Sequence, residues 1–346
     1  MSDYSERTYI STTEAASYLG IPVRTIHALI KDEKLPAAVS GGGQYRIDFA
    51  NVRLIENEYK TKKDTPQKKT LEINYNNTVQ KVFFENACCM EDIAEASVHL
   101  VVTSPPYYNA KMYSTGISEG DLGNIHDIDA WFFEIGKVWK EVFRVLQPGR
   151  KFFLNIMNLP IRENNSFRSI NLVGKSVDLC ERLGFIFKRD IIWQKTNGVR
   201  AHFGTYPYPG GILINNMHES ILEFQKPQDK KFNKYAHLTT EIKEASKLDK
   251  EFWLSIKNSD VWIMNPEKSG DGRKHIAPFP IELPRRFIKA YSFIGETVLD
   301  PFCGSGTTLL AAARLGRHGT GYEINADCAS IIEDRFMEEK NDLWRS

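Results

Sequence analysis

The chain has 346 residues, 42% hydrophobic and 26% charged, which suits one large and one small folded domain and excludes a disordered or fibrous polymer. Its 45 basic and 44 acidic side chains leave a net charge of +1, so overall charge gives no argument for a nucleic-acid partner, and any basic surface must be local. The longest apolar runs, such as Leu309–Ala313, are too short to cross a bilayer, and Met1–Arg7 lacks the apolar core of a signal peptide. The expectation is a cytoplasmic protein with no membrane contact. Cys88, Cys89, Cys180, Cys303 and Cys328 form no CxxC and no Cys/His zinc spacing, so they read as reduced thiols, and no metal site is expected.

In chain order, Ser11-Thr12-Thr13-Glu14 reads as a helix start, with a hydroxyl cap and an acid in the first turn. Ala15, Ala16 and Leu19 make an apolar stripe and Gly20 ends the helix. Pro22 opens a second helix carrying Ile26, Leu29 and Ile30. Past Lys34-Leu35-Pro36, the turn Gly41-Gly42-Gly43 leads into a strand, Gln44–Ile47. Residues 8–55 resemble the winged helix-turn-helix domains of phage excisionases and MerR-type regulators. The resemblance implies that Arg24, Thr25 and His27 face a DNA major groove while Tyr45 and Arg46 contact the backbone. The alternative is a helical pair that merely docks on the larger domain.

Glu56–Asn77 is rich in Lys, Glu, Asn and Thr and reads as a linker, or locally as an exposed helix end and loop. The expected domains are therefore 1–57, a linker over 58–77, and 78–346. Ser97–Val102 reads as a buried strand running into Thr103-Ser104-Pro105-Pro106-Tyr107-Tyr108-Asn109, where the paired prolines end the strand and stiffen the loop. Glu296–Leu299 reads as a second strand. It is followed by Asp300-Pro301-Phe302-Cys303-Gly304-Ser305-Gly306-Thr307-Thr308 and a helix to Leu315, the start of a Rossmann-like nucleotide site. Leu309 stands where GxGxxG needs its third glycine, which argues against NAD or FAD. Strand His318–Tyr322 ends in Glu323, 19 residues after Gly304, positioned to accept hydrogen bonds from ribose hydroxyls. Both loops follow strands of one parallel sheet, so both should lie on the same sheet edge.

Together TSPPY and DPFCGSGTT resemble the catalytic and cofactor loops of the amino-methylating DNA methyltransferases. Their order along the chain matches the family's β-type permutation. The resemblance covers about 80–335 and includes Phe143–Gly149 with Arg150 in place of a second glycine, Ile192–Lys195, His218–Phe224 and His275–Pro280. It implies an α/β fold, a Rossmann-like methyltransferase sheet with helices on both faces, and S-adenosyl-L-methionine as cofactor. Thr103, Pro278, Phe279, Asp300, Phe302, Gly304, Gly306, Thr307 and Glu323 would bind that cofactor. Asn86, in Glu85-Asn86-Ala87 where the family has Gly-Asp-Ala, would bond its adenine as a neutral group.

The resemblance also implies Ser104, Pro105, Pro106 and Tyr107 as the catalytic residues. Ser104 and the Pro105 carbonyl accept hydrogen bonds from the target amine, and Tyr107 stacks on the flipped base. No cysteine follows a proline, which disfavours ring-carbon methylation. Ser-Pro-Pro-Tyr usually accompanies N4-cytosine methylation, with N6-adenine the alternative. A non-catalytic DNA-binding regulator, or an enzyme acting on RNA or protein, is a more distant one. Target recognition is expected within 196–265, which mixes His202, Tyr206, Tyr208 and Tyr235 with Lys226, Lys230, Lys231 and Lys234, and Tyr108–Gly123 is a loop able to close over the base. The expected partners are double-stranded DNA and, as a candidate, a cognate restriction endonuclease, for a monomer or homodimer.

Overall fold

Strand β1 (Tyr9–Ile10) leads into helix α1 (Thr12–Leu19), whose start is a reciprocal capping box. Ser11 Oγ accepts from Glu14 N at 3.2 Å, and the Glu14 carboxylate accepts from Ser11 N at 2.9 Å. Helix α2 (Val23–Lys31), strands β2 (Ala37–Val39) and β3 (Tyr45–Asp48), and helix α3 (Phe49–Lys60) follow. The strands form a sheet in the order β1-β3-β2, antiparallel throughout. Ala15, Ala16, Leu19, Ile26, Leu29, Leu35, Ile47 and Val52 make its core. The computed structural model describes residues 9–19, 23–39, 45–60, 70–106, 108, 122–163, 166–196, 214, 216–266 and 279–343. The chain divides into two compact units, with the boundary after these N-terminal elements falling between Gln67 and Lys68.

The second unit opens with a hairpin, β4 (Thr70–Tyr75) and β5 (Thr78–Phe83). The expected linker over 58–77 is thus corrected at both ends, since α3 runs to Lys60 and β4 occupies most of its second half. Leu71, Ile73 and Tyr75 alternate with Thr70, Glu72 and Asn74, a period-2 pattern that polar composition hid. Leu71 and Tyr75 are buried. The hairpin turns at Asn76, which adopts φ +51°, a left-handed conformation that Asn tolerates.

Next come β6 (Val98–Thr103), a 3-10 turn (Leu122–Asn124), α4 (Ile128–Val145) and β7 (Leu146–Ile156). A two-stranded hairpin, β8 (Leu159–Glu163) and β9 (Ser166–Ile170), precedes α5 (Leu172–Arg182), β10 (Ile186–Lys195) and β11 (His218–Gln225). The chain continues through α6 (Thr240–Ala245), α7 (Lys250–Lys257), β12 (Val261–Met264) and α8 (Glu282–Tyr291). It closes with β13 (Thr297–Asp300), α9 (Thr307–Arg314), β14 (His318–Tyr322) and α10 (Cys328–Leu343). Nine strands form one sheet in the order β12-β10-β11-β7-β6-β13-β14-β5-β4, in which β11 and β4 run against the rest.

Alternation along β7 explains the layers. Phe152, Leu154 and Ile156 pack with Trp131, Ile135, Trp139 and Val142 of α4 on one face. Phe153 packs with Leu283, Phe287 and Ile288 of α8 on the other, its ring stacked 3.9 Å from Phe287. A third cluster joins α9 and α10 to β4 and β5. All five cysteines are free, and among the described residues no helix is long and apolar enough to cross a membrane.

Candidate active site

Strands β6 and β13 are parallel neighbours at the sheet centre. From β6 the chain proceeds to β7 on one side, and from β13 to β14 on the other. Such a reversal opens a crevice outside the carboxyl ends of the two strands, where ligands bind in open α/β sheets. Both singled-out loops leave there, and one side-chain pair ties them together. Thr103 Oγ1 donates to Asp300 Oδ1 at 2.6 Å, while Thr308 Oγ1 and Phe302 N donate to the same carboxylate at 2.6 and 3.1 Å. Burial pushes the Asp300 carboxyl up from its ordinary 3.8 to about 6, against the opposite pull of those donors. Thr103 and Asp300 are 0% and 1% exposed, so both are committed to bracing the crevice.

The turn after β13 depends on glycine. Gly306 has φ +78° and caps α9 from the left-handed region, and a Cβ there would sit 3.3 Å from Ile332 side-chain carbons. At Gly321 of β14 a Cβ would sit 2.7 Å from Cys303 Sγ, so only glycine lets this strand pass behind the turn. Gly304 takes φ +50°. Arg335 of α10, absent from the sequence expectations, reaches under the turn. Its Nη1 donates to Ser305 O, Ser305 Oγ and Thr307 Oγ1, each at 2.9 Å.

Glu323 follows β14 and accepts from Gly304 N at 3.0 Å and Asn325 N at 2.9 Å. Its own N donates to Phe83 O at 3.0 Å, joining the ends of β14 and β5. Asn86 lies just past β5, its Oδ1 accepting from Cys88 N at 2.9 Å. The sheet order therefore lines up Asn86, Glu323, the glycine turn and Ser104 along one edge. Phe302 packs edge-on against Trp139, ring centroids 5.9 Å apart. Phe279 is buried among the α8-side core residues, while Pro278 lies outside the described residues.

On the β6 side Pro105 is buried, and Ser104 and Pro106 are half-buried; Tyr107 lies outside the described residues. Ser104 Oγ is 3.4 Å from Asn155 Nδ2, which also donates to Glu219 Oε2 at 2.5 Å. Lys195 Nζ lies 2.5 Å from the other oxygen, Glu219 Oε1. Sequence reading missed all three as site residues, although an acid at the head of the largely apolar strand His218–Phe224 was a usable signal. Tyr108 donates its hydroxyl to His126 O; the rest of the expected closing loop, 109–121, is outside the described residues.

The expected recognition stretch falls in two places. His218, at the start of β11, sits at the Ser104 edge, as does Lys195 just before the stretch at the end of β10, and 197–213, with His202, Tyr206 and Tyr208, is outside the described residues. Lys226 and Lys234 are placed otherwise than expected, because antiparallel β11 delivers the chain to the opposite strand ends. There they donate to Arg144 O and Gly149 O, and burial pushes both amines below their ordinary range. Tyr235 lies under the Arg150 guanidinium, 5.0 Å away. Lys230 and Lys231 are exposed. Among the described residues one group of metal-type ligands, His99, His237 and Glu296, also lies at those far ends. Glu296 there is already ion-paired with Arg150 and accepts from Phe293 N.

In the N-terminal unit, α2 buries Ile26 and Leu29 and leaves His27 exposed and Thr25 half-buried. Tyr45 and Arg46 of β3 are exposed, and the His27 and Tyr45 rings lie 5.8 Å apart, so helix and wing share one outer face. The Arg24 side chain and Gly41–Gly43 lie outside the described residues.

Residues 98–334 match the family described as DNA methylase, and 9–53 match a helix-turn-helix domain. Type II methyltransferase M.MthZI of Methanothermobacter thermautotrophicus is 31% identical over 281 residues, 75% of this chain and 77% of its own. Type II methyltransferase M.MjaI of Methanocaldococcus jannaschii is 33% identical over 291 residues, 75% of this chain and 91% of its own. A candidate DNA modification methylase of Thermus thermophilus, solved in complex with S-adenosyl-L-methionine, is 34% identical with a TM-score of 0.58, over 73% of this chain and 91% of its own.

Proposed function

The chain belongs to the DNA methylases that act on exocyclic N4 or N6 amines with S-adenosyl-L-methionine, and from that premise we propose that it methylates the N4 amine of cytosine in double-stranded DNA. The observation that carries the reading is Ser104 directly beyond β6, beside the glycine turn that Thr103 and Asp300 brace at 2.6 Å. The residues at this edge fit the cofactor. A carboxylate, Glu323, suits a ribose diol, the neutral amide of Asn86 suits adenine, and the turn at Gly304 and Gly306 admits close backbone approach. When bound, the cofactor supplies an electrophilic sulfonium methyl.

The chain's own work is positioning. The lone pair of a base amine is delocalised into its ring, so the amine must be held with its nitrogen aimed at the methyl. Ser104 Oγ and the Pro105 carbonyl accept its two hydrogens, and the stiff Pro105-Pro106 pair fixes their separation. Tyr107 stacks on the extruded base, a contact worth about 1–3 kcal/mol. Phe279, Phe302 and Thr307 shape the cofactor side of the crevice. Arg24, Thr25 and His27 hold the duplex through its major groove, with Tyr45 and Arg46 on its backbone. Because the chain leaves β10 at Lys195 and returns at His218 beside Ser104, we assign sequence reading to the segment between them. The same reading includes a cognate restriction endonuclease, since both curated relatives are named as Type II methyltransferases.

Incubating the protein with isotopically labelled S-adenosyl-L-methionine and methylation-free genomic DNA, followed by nucleoside chromatography, tests the assignment. Label in N4-methylcytosine is expected. Label in N6-methyladenine would keep the family chemistry and overturn the base assignment.

A further inference from the structure

The group behind Ser104 is built across adjacent strands. Asn155 comes from β7, Glu219 from β11 and Lys195 from β10, so a row runs across the sheet from the edge serine to a lysine. Asn155 is 2% exposed and Glu219 6%. Buried carboxylates of this kind are retained where their bonds are satisfied, and Glu219 meets Asn155 and Lys195 at 2.5 Å each.

A carboxylate only accepts, so Glu219 selects the NH2 end of the Asn155 amide. That choice has a visible cost: Asn155 Oδ1 is buried with no hydrogen-bond partner. Turning the amide would face its carbonyl oxygen toward the carboxylate, so the orphan stays. With one Nδ2 hydrogen on Glu219, the other is directed at Ser104 Oγ. The serine oxygen then receives a donor from below, leaving its second lone pair and its proton for the substrate side. Those are what an amine beside an acceptor ring nitrogen requires.

We propose that Asn155, Glu219 and Lys195 are positioning residues that orient the Ser104 hydroxyl toward the amidine edge of the flipped base, an inference that rests on the proposed role of Ser104. Lys195 holds the Glu219 charge in place, Glu219 sets the Asn155 amide, and Asn155 sets the serine.

Glu219→Gln is the sharpest test because its shape is unchanged. Its amide donates to Asn155 Oδ1 and lets Asn155 turn its carbonyl to the serine, which then spends its proton there. The expected result is a kcat for methyl transfer lower by roughly ten- to a hundredfold, an effect of misorientation alone, with KM for DNA and affinity for S-adenosyl-L-methionine unchanged. Asn155→Ala, checked by the same cofactor titration for correct folding, should give a loss of similar size. In single-turnover assays on a Ser104→Ala background, Glu219→Gln should cost nothing further, since its effect passes through the serine. An equal loss in both backgrounds, or full kcat in both Glu219→Gln and Asn155→Ala while Ser104→Ala is impaired, would overturn the relay. Full activity in Ser104→Ala would instead remove the reading of Ser104 itself, and the relay with it.

Discussion

The turn after β13 and the loop after β6 leave neighbouring strands at the same sheet edge, but their polar groups are employed differently. On the β13 side Asp300 takes three donors, Arg335 fills three acceptors of Ser305 and Thr307, and Glu323 accepts two backbone amides. On the β6 side Ser104 Oγ has a 3.4 Å contact to an asparagine whose own carbonyl oxygen is unpaired and buried. A turn that must hold its shape is saturated with internal bonds, whereas a group that must meet substrate keeps bonding capacity in reserve.

Changes on the saturated side should therefore act on stability and cofactor affinity together. The largest effect is expected from Gly321→Val, which drives a side chain into Cys303, 2.7–2.8 Å from a Cβ at that site. It should cost about 1–3 kcal/mol of stability from overpacking and abolish measurable cofactor binding, read by thermal melting and calorimetry. Arg335→Ala strands the Ser305 and Thr307 acceptors. A stability loss of about 1–3 kcal/mol is expected, with weaker cofactor binding but an unchanged pattern of methylated sites, read by sequencing.

The smallest effect is a pH slope. The Asp300 carboxyl is raised by burial to about 6 from its ordinary 3.8, so the folded state binds a proton more tightly than the unfolded chain. Its contribution is fully present below the unfolded value and is lost as pH rises to about 6, with a slope of at most about 1.4 kcal/mol per pH step between those two values. Asp300→Asn should flatten that fall in melting temperature. His99 contributes the opposite slope, because burial pushes it down from 6.5 to about 4. The wild type minus the variant is therefore the quantity to plot.

The two loops were legible in the sequence because a strand ended by paired prolines, or by a glycine turn and a helix, is a local pattern. The capping box at Ser11 and Glu14 was legible for the same reason. β4 was not, since Glu72, Asn74 and the Asn76-Asn77 turn made its half-buried alternation resemble a solvated tether. Asn155, Glu219 and Lys195 meet only because β7, β11 and β10 are neighbours, a pairing that sequence order does not reveal. Arg335 lies 30 positions from the serine it supports. Lys226 and Lys234 misled by composition, because the reversed direction of β11 takes them to the far strand ends.

The division of labour between the two loops is tested most directly by measuring one variant, Ser104→Ala, in two ways. Calorimetry should give wild-type affinity for S-adenosyl-L-methionine, while transfer of labelled methyl to DNA under single-turnover conditions should fall by at least roughly a hundredfold, the scale of a lost positioning contact. Cofactor affinity lost along with transfer, or transfer retained at the wild-type rate, would contradict the account.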